Sequence, residues 1–252
     1  MKKFLIFIIL ILLSGCTPKQ SEQIVKEKLN IVLGGSAVTL DGTVVSSETT
    51  ATNEFTVGNN TNRILLVSFA TYQGNTPSGI TYNSDALTKI SEKIGSYGEQ
   101  SSIWGLLAPD VGTANVVVSG ASSYYAIGIY SLYNVNQSLT MATSSAGGES
   151  AGASLALTTT ADNCWVIDAL ESEPAATLTT SGGTQDWNLE GESYQHGSGS
   201  HILKATAGEQ AMTWSLGYGA RWNQCAIEVC PVGETPPATP TGSAIQSIII
   251  FE

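Results

Sequence analysis

From Ile31 to Pro231 apolar and polar residues alternate in short runs, each interrupted after a few positions by Gly, Asn, Asp or Pro. Successive side chains on a strand point to opposite faces, so runs of this period and length predict β-strands. They fall at Ala37–Leu40, Thr43–Ser46, Glu54–Val57, Arg63–Thr71, Ile80–Asn83, Ala86–Ile90, Ser101–Leu107, Asn115–Ser119 and Tyr124–Tyr133. The second half adds Ser154–Thr159, Cys164–Leu170, Ala176–Thr180, Ser200–Ala205, Ala211–Leu216 and Asn223–Cys230. Asp41-Gly42, between the first two, is the dipeptide of a type I′ turn and predicts a hairpin. Met212, Trp214 and Leu216 alternate with Ala211, Thr213 and Ser215, and Cys225, Ile227 and Val229 with Gln224, Ala226 and Glu228. Both patterns predict one buried and one wet face. Arg63–Ala70 is apolar on both faces and belongs at the centre of the fold or under a covering loop. No window beyond the N-terminus sustains a helical repeat. The expected class is all-β, an antiparallel β-sandwich or barrel.

One internal echo stands out. Phe55-x-Val57, a polar turn, Asn62 and Ile64-Leu-Leu-Val67 match Leu155-x-Leu157, a polar turn, Asn163 and Trp165-Val-Ile167, with one residue of gap. Two similar halves of one jelly roll produce such a pattern, and so does chance.

At the N-terminus Lys2 and Lys3 precede the apolar run Phe4–Leu13. A helix of that length rises about 15 Å, half of the roughly 30 Å hydrocarbon core, so a cleaved signal is expected rather than a membrane span. The run ends in Leu13-Ser14-Gly15-Cys16, which resembles the lipobox of bacterial lipoproteins. That resemblance implies cleavage before Cys16, a diacylglyceryl group on its thiol, and membrane anchoring of the mature chain. Thr17 is not the Asp that keeps proteobacterial lipoproteins at the inner membrane, so the outer membrane or cell surface is expected. Residues 1–15 are then the signal and 16–30, with Lys19, Lys26 and Lys28, a tether. Residues 31–231 form the sandwich domain, and 232–252 a Pro-rich linker and apolar strand.

The composition narrows the partners. Only 12% of residues are charged, and the net charge is −11. A surface that neutralises phosphates needs the opposite sign, so nucleic acid is excluded as a partner.

The segments Phe55–Phe69, Ile80–Asn83, Ser102–Ser119 and Tyr125–Ser138 resemble a module of bacterial and phage extracellular proteins. In that module an N-R-L-L-V-V strand leads to V-T-Y-x-G, an aromatic strand ending near P-x-x-G-T, a V-x-V strand and a G-V-D-Q-T segment. Asn134-Val135-Asn136-Gln137-Ser138 is this chain's version of the last, and Ser84 stands where the module carries Gly. The resemblance covers roughly Thr43 to Cys230. It implies a jelly-roll-like sandwich of surface, secreted or virion structural proteins, without a family active site.

Catalytic motifs are missing: there is no G-x-S-x-G, P-loop or H-E-x-x-H, and the two histidines, His196 and His201, cannot build a multi-histidine metal site. His196 lies in a polar stretch read as a solvated loop. Glu171-Ser-Glu173 and Glu190-Gly-Glu192 are carboxylate pairs in Gly- or Ser-rich stretches and read as a solvated acidic rim, with weak calcium binding as the alternative. Trp187, Tyr194, His196, Tyr218 and Trp222 fall in or beside the segments 181–200 and 217–221, where flat rings with polar neighbours suit a sugar face. The alternative is that these rings cap the core, as Trp104, Trp165 and Trp214 are expected to fill it.

Of the cysteines left after lipidation, Cys164 opens one strand and Cys230 closes another, both on the more polar face, whereas Cys225 points inward beside Ile227. A Cys164–Cys230 disulfide with a buried, free Cys225 follows. The tail Ile245–Phe251 is apolar and β-prone; it docks on its own sandwich or adds to a neighbour's edge, giving an oligomer. Two functions are compatible with these readings. One is a lipid-anchored envelope protein, not an enzyme, whose sandwich binds a glycan or protein or serves a structural, adhesive or virion role. The other is a glycan-active enzyme on the same fold.

Overall fold

The computed structural model describes residues 37–233, apart from 43, 49, 73, 122–123, 174–177 and 191–195. The signal, Cys16, the tether, Tyr194, Glu192 and the apolar tail lie outside the described residues. Among those described there is no helix, and every strand pairing is antiparallel.

The first half of the chain forms one jelly roll. Its strands are β1 (Thr39–Leu40), β2 (Val45–Glu48), β3 (Thr52–Val57), β4 (Ile64–Thr71), β5 (Gly79–Tyr82), β6 (Asp85–Ala86), β7 (Thr88–Ile94), β8 (Gln100–Leu107), β9 (Gly112–Ser119) and β10 (Tyr125–Tyr133). One sheet runs β2-β10-β4-β8-β7, with β1 on the same side of β10 as β2, and the other runs β3-β9-β5-β6. Between them lies a core of Phe55, Val67, Phe69, Tyr82, Val116 and Ile127 with their neighbours.

The second half repeats the arrangement with fewer breaks. Its strands are β11 (Thr143–Thr159), β12 (Cys164–Glu173), β13 (Thr179–Ser181), β14 (Thr184–Glu190), β15 (His196–Lys204) and β16 (Gly208–Val229). β11 and β16 are long enough to serve both layers. Thr143–Ser150 lies along Ala220–Ile227 beside β12, whereas Gly152–Thr159 pairs with Gly208–Ser215, which in turn takes β13. Thus β11 does the work of β2 and β3, β16 that of β9 and β10, and β12, β13, β14 and β15 that of β4, β5, β7 and β8. The registers agree residue by residue: Ile64 sits opposite Leu132 and Leu107, and Trp165 opposite Val229 and Leu203. Asn62 and Asn163, ahead of these strands, both adopt left-handed backbone at φ 54° and 57°. The echo in the sequence is therefore a duplicated jelly roll, two complete sandwiches rather than two halves of one.

The inner sheets of the two sandwiches pack face to face. A core of Ile64, Leu66, Ala126, Tyr130, Ile167, Ile227 and Trp187 fills the space between them. The inner strands are consequently covered on both sides, which is why all eight residues of β4 are buried, as its two apolar faces predict. The same packing overturns the expected wet face of Asn223–Cys230. Gln224, Ala226 and Glu228 are buried inside the second sandwich while Cys225 and Ile227 face the first. Glu228 is accommodated there by the backbone N–H groups of Ala142 and Thr160 and the Thr160 hydroxyl, all donating to its carboxylate.

The predicted hairpin at Asp41-Gly42 does not form, because β1 and β2 both pair with β10 rather than with each other. The Asp41 carboxylate instead accepts from Gly58 N, Asn60 Nδ2 and Ser131 Oγ, so this turn clamps an edge strand to its neighbours. Two strands escaped the hydrophobic pattern: the Gly- and Ser-rich start of β11, and β14.

Cys164 and Cys230 are joined by a disulfide spanning 66 residues, linking the start of β12 to the end of β16. Cys225 is buried and free, its thiol pushed up to about 12 by burial. The Cys164→Ser/Cys230→Ser double variant is expected to lose about 2–4 kcal/mol of unfolding free energy in denaturant titration, since closure of a loop this long removes entropy mainly from the unfolded chain.

Candidate functional site

Of the five rings expected to form a ligand surface, the four that are described do not lie together. Trp187 is 4% exposed and belongs to the core between the sandwiches, its indole laid against Gly128 of the first and Gly199 of the second. A Cβ at either glycine would come within 2.2 Å of the indole nitrogen, so bare backbone is what admits the ring. His196 is not in a solvated loop; it begins β15, buried, opposite Ser172 of β12. Tyr218 is exposed on β16. Among the described four, only Trp222 lines a substantial cleft.

That cleft, about 530 Å³, opens at one end of the seam between the sandwiches. The first contributes Lys93, Tyr97 and Glu99 from the β7–β8 hairpin; the second contributes Glu149, Arg221, Trp222 and Asn223 from β11 and β16. Clefts between two packed bodies are common sites for small ligands. The Trp222 indole donates to Ser150 Oγ at 3.0 Å and lies against Gly148, which leaves its ring as part of the wall. Arg221 is held by the Glu173 carboxylate and stacks over the Tyr97 ring, 4.3 Å from its centroid. Tyr97 itself is 64% exposed, a flat ring at the cleft rim.

Behind this wall stands Glu171. It does not belong to a solvated acidic rim, for β12 carries it into the protein interior with no exposed surface. Asn223 Nδ2 donates to its Oε2 at 3.0 Å, while Oε1 is without a hydrogen-bond partner. Burial holds the Glu171 carboxyl well above the usual carboxylate range, and the charges of Glu99 and Glu173 push it further the same way. Glu99 is itself nearly buried, and accepts the Tyr97 N–H at 2.8 Å. A Cβ at Gly95 would meet both the Glu99 carboxyl, at 2.6 Å, and Asn223 Nδ2, at 2.8 Å, so the two groups flank a single point.

The duplication supplies an internal control. In the matching registers of the first sandwich Ala70 stands opposite Ala126, where the second has Glu171 opposite Asn223. The fold is thus satisfied by alanines at these positions, and the polar pair is an addition of the second copy. Another such replacement lies inside the second sandwich. Val67, Trp104, Val116 and Ile127 of the first core correspond to Asp168, Ser200, Trp214 and Gln224. Asp168 accepts from Ser200 N and Oγ, Trp214 Nε1 and Gln224 Nε2, all between 2.7 and 2.8 Å. Each Asp168 oxygen meets two donors, which makes this cluster a structural network.

A second concavity, about 460 Å³, lies beside Val38, Trp165 and His201. The Trp165 and His201 rings stack 4.1 Å apart, and His201 Nδ1 meets both oxygens of Asp186 at 2.8 and 2.9 Å. Trp165 is thus only partly a core residue. Among the described residues no hydroxyl or thiol bonds to this imidazole, so the pair has no nucleophile to activate. The one grouping of three candidate metal ligands among the described residues is Cys164, Glu228 and Cys230, whose sulfurs are bonded to each other.

A raised carboxyl value has a direct consequence for stability. Glu171 favours the protonated form when folded, so its contribution is fully present below the unfolded carboxyl value near ~4.3 and is lost as pH rises through the folded value. Glu171→Gln, which keeps the Asn223 hydrogen bond, is expected to melt higher than the parent at pH 8 and to show no such advantage at pH 4. A scan of melting temperature against pH for both proteins checks this.

Compared with known proteins, the chain matches no family model, no curated relative and no solved structure.

Proposed function

We propose that this protein is a lipid-anchored, extracytoplasmic binding protein whose paired jelly rolls hold a saccharide in the cleft between them. The observation that carries this reading is the ligand-like chemistry of that cleft. An exposed tyrosine ring, a tryptophan wall, a guanidinium, an amide and carboxylates converge there, and the amide, Asn223, stands where the first sandwich's register has Ala126. Saccharides are recognised by this mixture, the apolar face of the pyranose on a ring and its hydroxyls on polar groups. The lipobox supports the placement, with Cys16 holding the domain at the outer membrane or cell surface and the acidic domain standing off from the lipid.

Binding without turnover fits the carboxylates better than glycoside hydrolysis does. Hydrolysis needs two carboxyl groups that both reach the scissile bond. Glu171 is sealed from solvent, and the two carboxyls that line the cleft are unlike partners on different sandwiches, Glu99 nearly buried and Glu149 exposed. The test is a glycan array probed with the detergent-solubilised full chain, with and without calcium. Retention of a glycan without product release is the expected result. Release of product places the protein among glycan-active enzymes, and failure to retain any glycan removes the saccharide reading. Anchoring is checked separately: Cys16→Ser is expected to abolish the mature, detergent-partitioning band, and its persistence would refute the lipobox.

A further inference from the structure

Resting on the saccharide reading, the geometry points to a binding ridge that continues out of the cleft over Tyr97, Tyr72 and Tyr124, so that the favoured ligand is an extended polysaccharide rather than a mono- or disaccharide. Strand direction sorts the turns of both sandwiches into two poles. At one, β1 pairs with the end of β10, Asn134 Nδ2 donates to Ala37 O, and Val232 N donates to Asn134 O, so both ends of the described chain leave there. The cleft lies at the other, where Thr71 meets Gln100 and Tyr125, and Glu173 meets Arg221. The eight residues of β4 run from one pole to the other, about 23 Å. A lipid on Cys16 holds the molecule by the pole opposite the cleft.

The two poles differ in their side chains. Among the described residues, the turns at the anchored pole, 58–62, 83–84, 108–111, 134–142, 160–163 and 205–207, carry no aromatic ring. Tyr72, Tyr97 and Tyr124 stand in turns at the cleft pole, and they are joined. Tyr97 stacks on the Arg221 guanidinium, Glu173 holds Arg221, and the Tyr72 hydroxyl donates to the same Glu173. Gly74 N donates to Gly98 O at 2.9 Å, tying the turn after Tyr72 to the hairpin that carries Tyr97.

Tyr124 extends the row. Its φ of 56° lies in the left-handed region that a bulky side chain rarely adopts. The Tyr72 N–H and the Thr71 hydroxyl both donate to its carbonyl at 3.1 Å, and its ring is exposed. The fold thus keeps a ring on this pole at a position where Gly would sit without strain. Phenol rings offer flat apolar area at little cost in side-chain entropy, and the carboxylate, guanidinium and hydroxyl groups between them suit sugar hydroxyls. A short sugar is accommodated by the cleft alone. A polymer, with its repeating apolar faces and hydroxyls, uses the rings beyond it in succession.

The experiment is calorimetric titration of the full chain in detergent with cello- and chito-oligosaccharides, from the dimer to the octamer. Affinity is expected to rise about tenfold or more along the series that binds, as one or two further ring contacts provide. In Tyr124→Gly, which suits the left-handed backbone and should melt no lower than the parent, octamer affinity is expected to fall to near that of the dimer. Tyr97→Ala, which also opens the cleft wall, should weaken binding at every length. Equal affinity for dimer and octamer in the parent would overturn the ridge and leave the cleft reading standing. A gain with length that survives in Tyr124→Gly would overturn it as well. If neither series binds at any length the ridge falls, while the saccharide reading stands or falls by the array.

Discussion

Trp187→Ala is expected to destabilise the protein by about 3–5 kcal/mol in equilibrium denaturation, the range found when a large buried aromatic is deleted from a core that cannot collapse around the gap. The gap here lies between two sheets, each fixed by its own sandwich behind it, so neither can move in to close it. The glycines beneath the ring give the complementary test. Gly128→Ala puts a methyl group within 2.2 Å of the indole nitrogen and should cost about 1–3 kcal/mol by overpacking. A loss below 1 kcal/mol for Trp187→Ala would return the ring to the solvent-facing loop that the sequence suggested, and with it the face-to-face packing of the sandwiches would fall.

Asp168→Ala is expected to cost a similar amount, about 3–5 kcal/mol, by leaving the Ser200, Trp214 and Gln224 donors buried without an acceptor. The first sandwich shows how the cost can be reduced. Val67 and Ile127 occupy the positions of Asp168 and Gln224 there, so Asp168→Val/Gln224→Ile should lose less than Asp168→Ala although it changes two core residues. Removing both partners of a buried hydrogen bond is milder than removing one. If the double variant is the less stable of the two, the residue-by-residue correspondence between the sandwiches is wrong.

The all-β class, most strand positions and the cysteine pairing were legible in the sequence for a common reason. Each depends on period-two alternation, which a residue's own neighbours record. Cys164 and Cys230 fell on compatible faces by parity alone, and their strands are indeed adjacent. What the pattern could not record was a second covered face. Gln224, Glu228 and Asp168 are polar, so their strands read as wet on one side, whereas in the fold they hydrogen-bond buried partners distant in sequence. The strand at Thr143–Ser150 is hidden in the sequence by Gly147-Gly148, a pair that suits a turn; there the missing side chains make room for Trp222 and Asn223.

The site was legible only in fragments. Trp222 was among the expected ligand residues, but Trp187, equally aromatic and equally close to glycines, went to the core. Glu171 was dismissed with its neighbours as a loop because β12 runs three residues further than its apolar segment. The echo held the missing signal. Aligned through Asn62 and Asn163, it places Glu171 against Ala70, and a carboxylate where the first copy needs only a methyl group marks a position kept for something other than the fold.

The central claim, a ligand cleft at the seam of the two sandwiches, is tested most directly by the indole N–H resonances of the five tryptophans during titration with the tightest glycan from the array. The Trp222 indole, in the cleft wall, is expected to shift on binding. Those of Trp187 and Trp214, sealed in the cores, are expected to hold their positions. Movement of Trp165 with Trp222 unperturbed would place the ligand on the His201 surface instead and contradict the account.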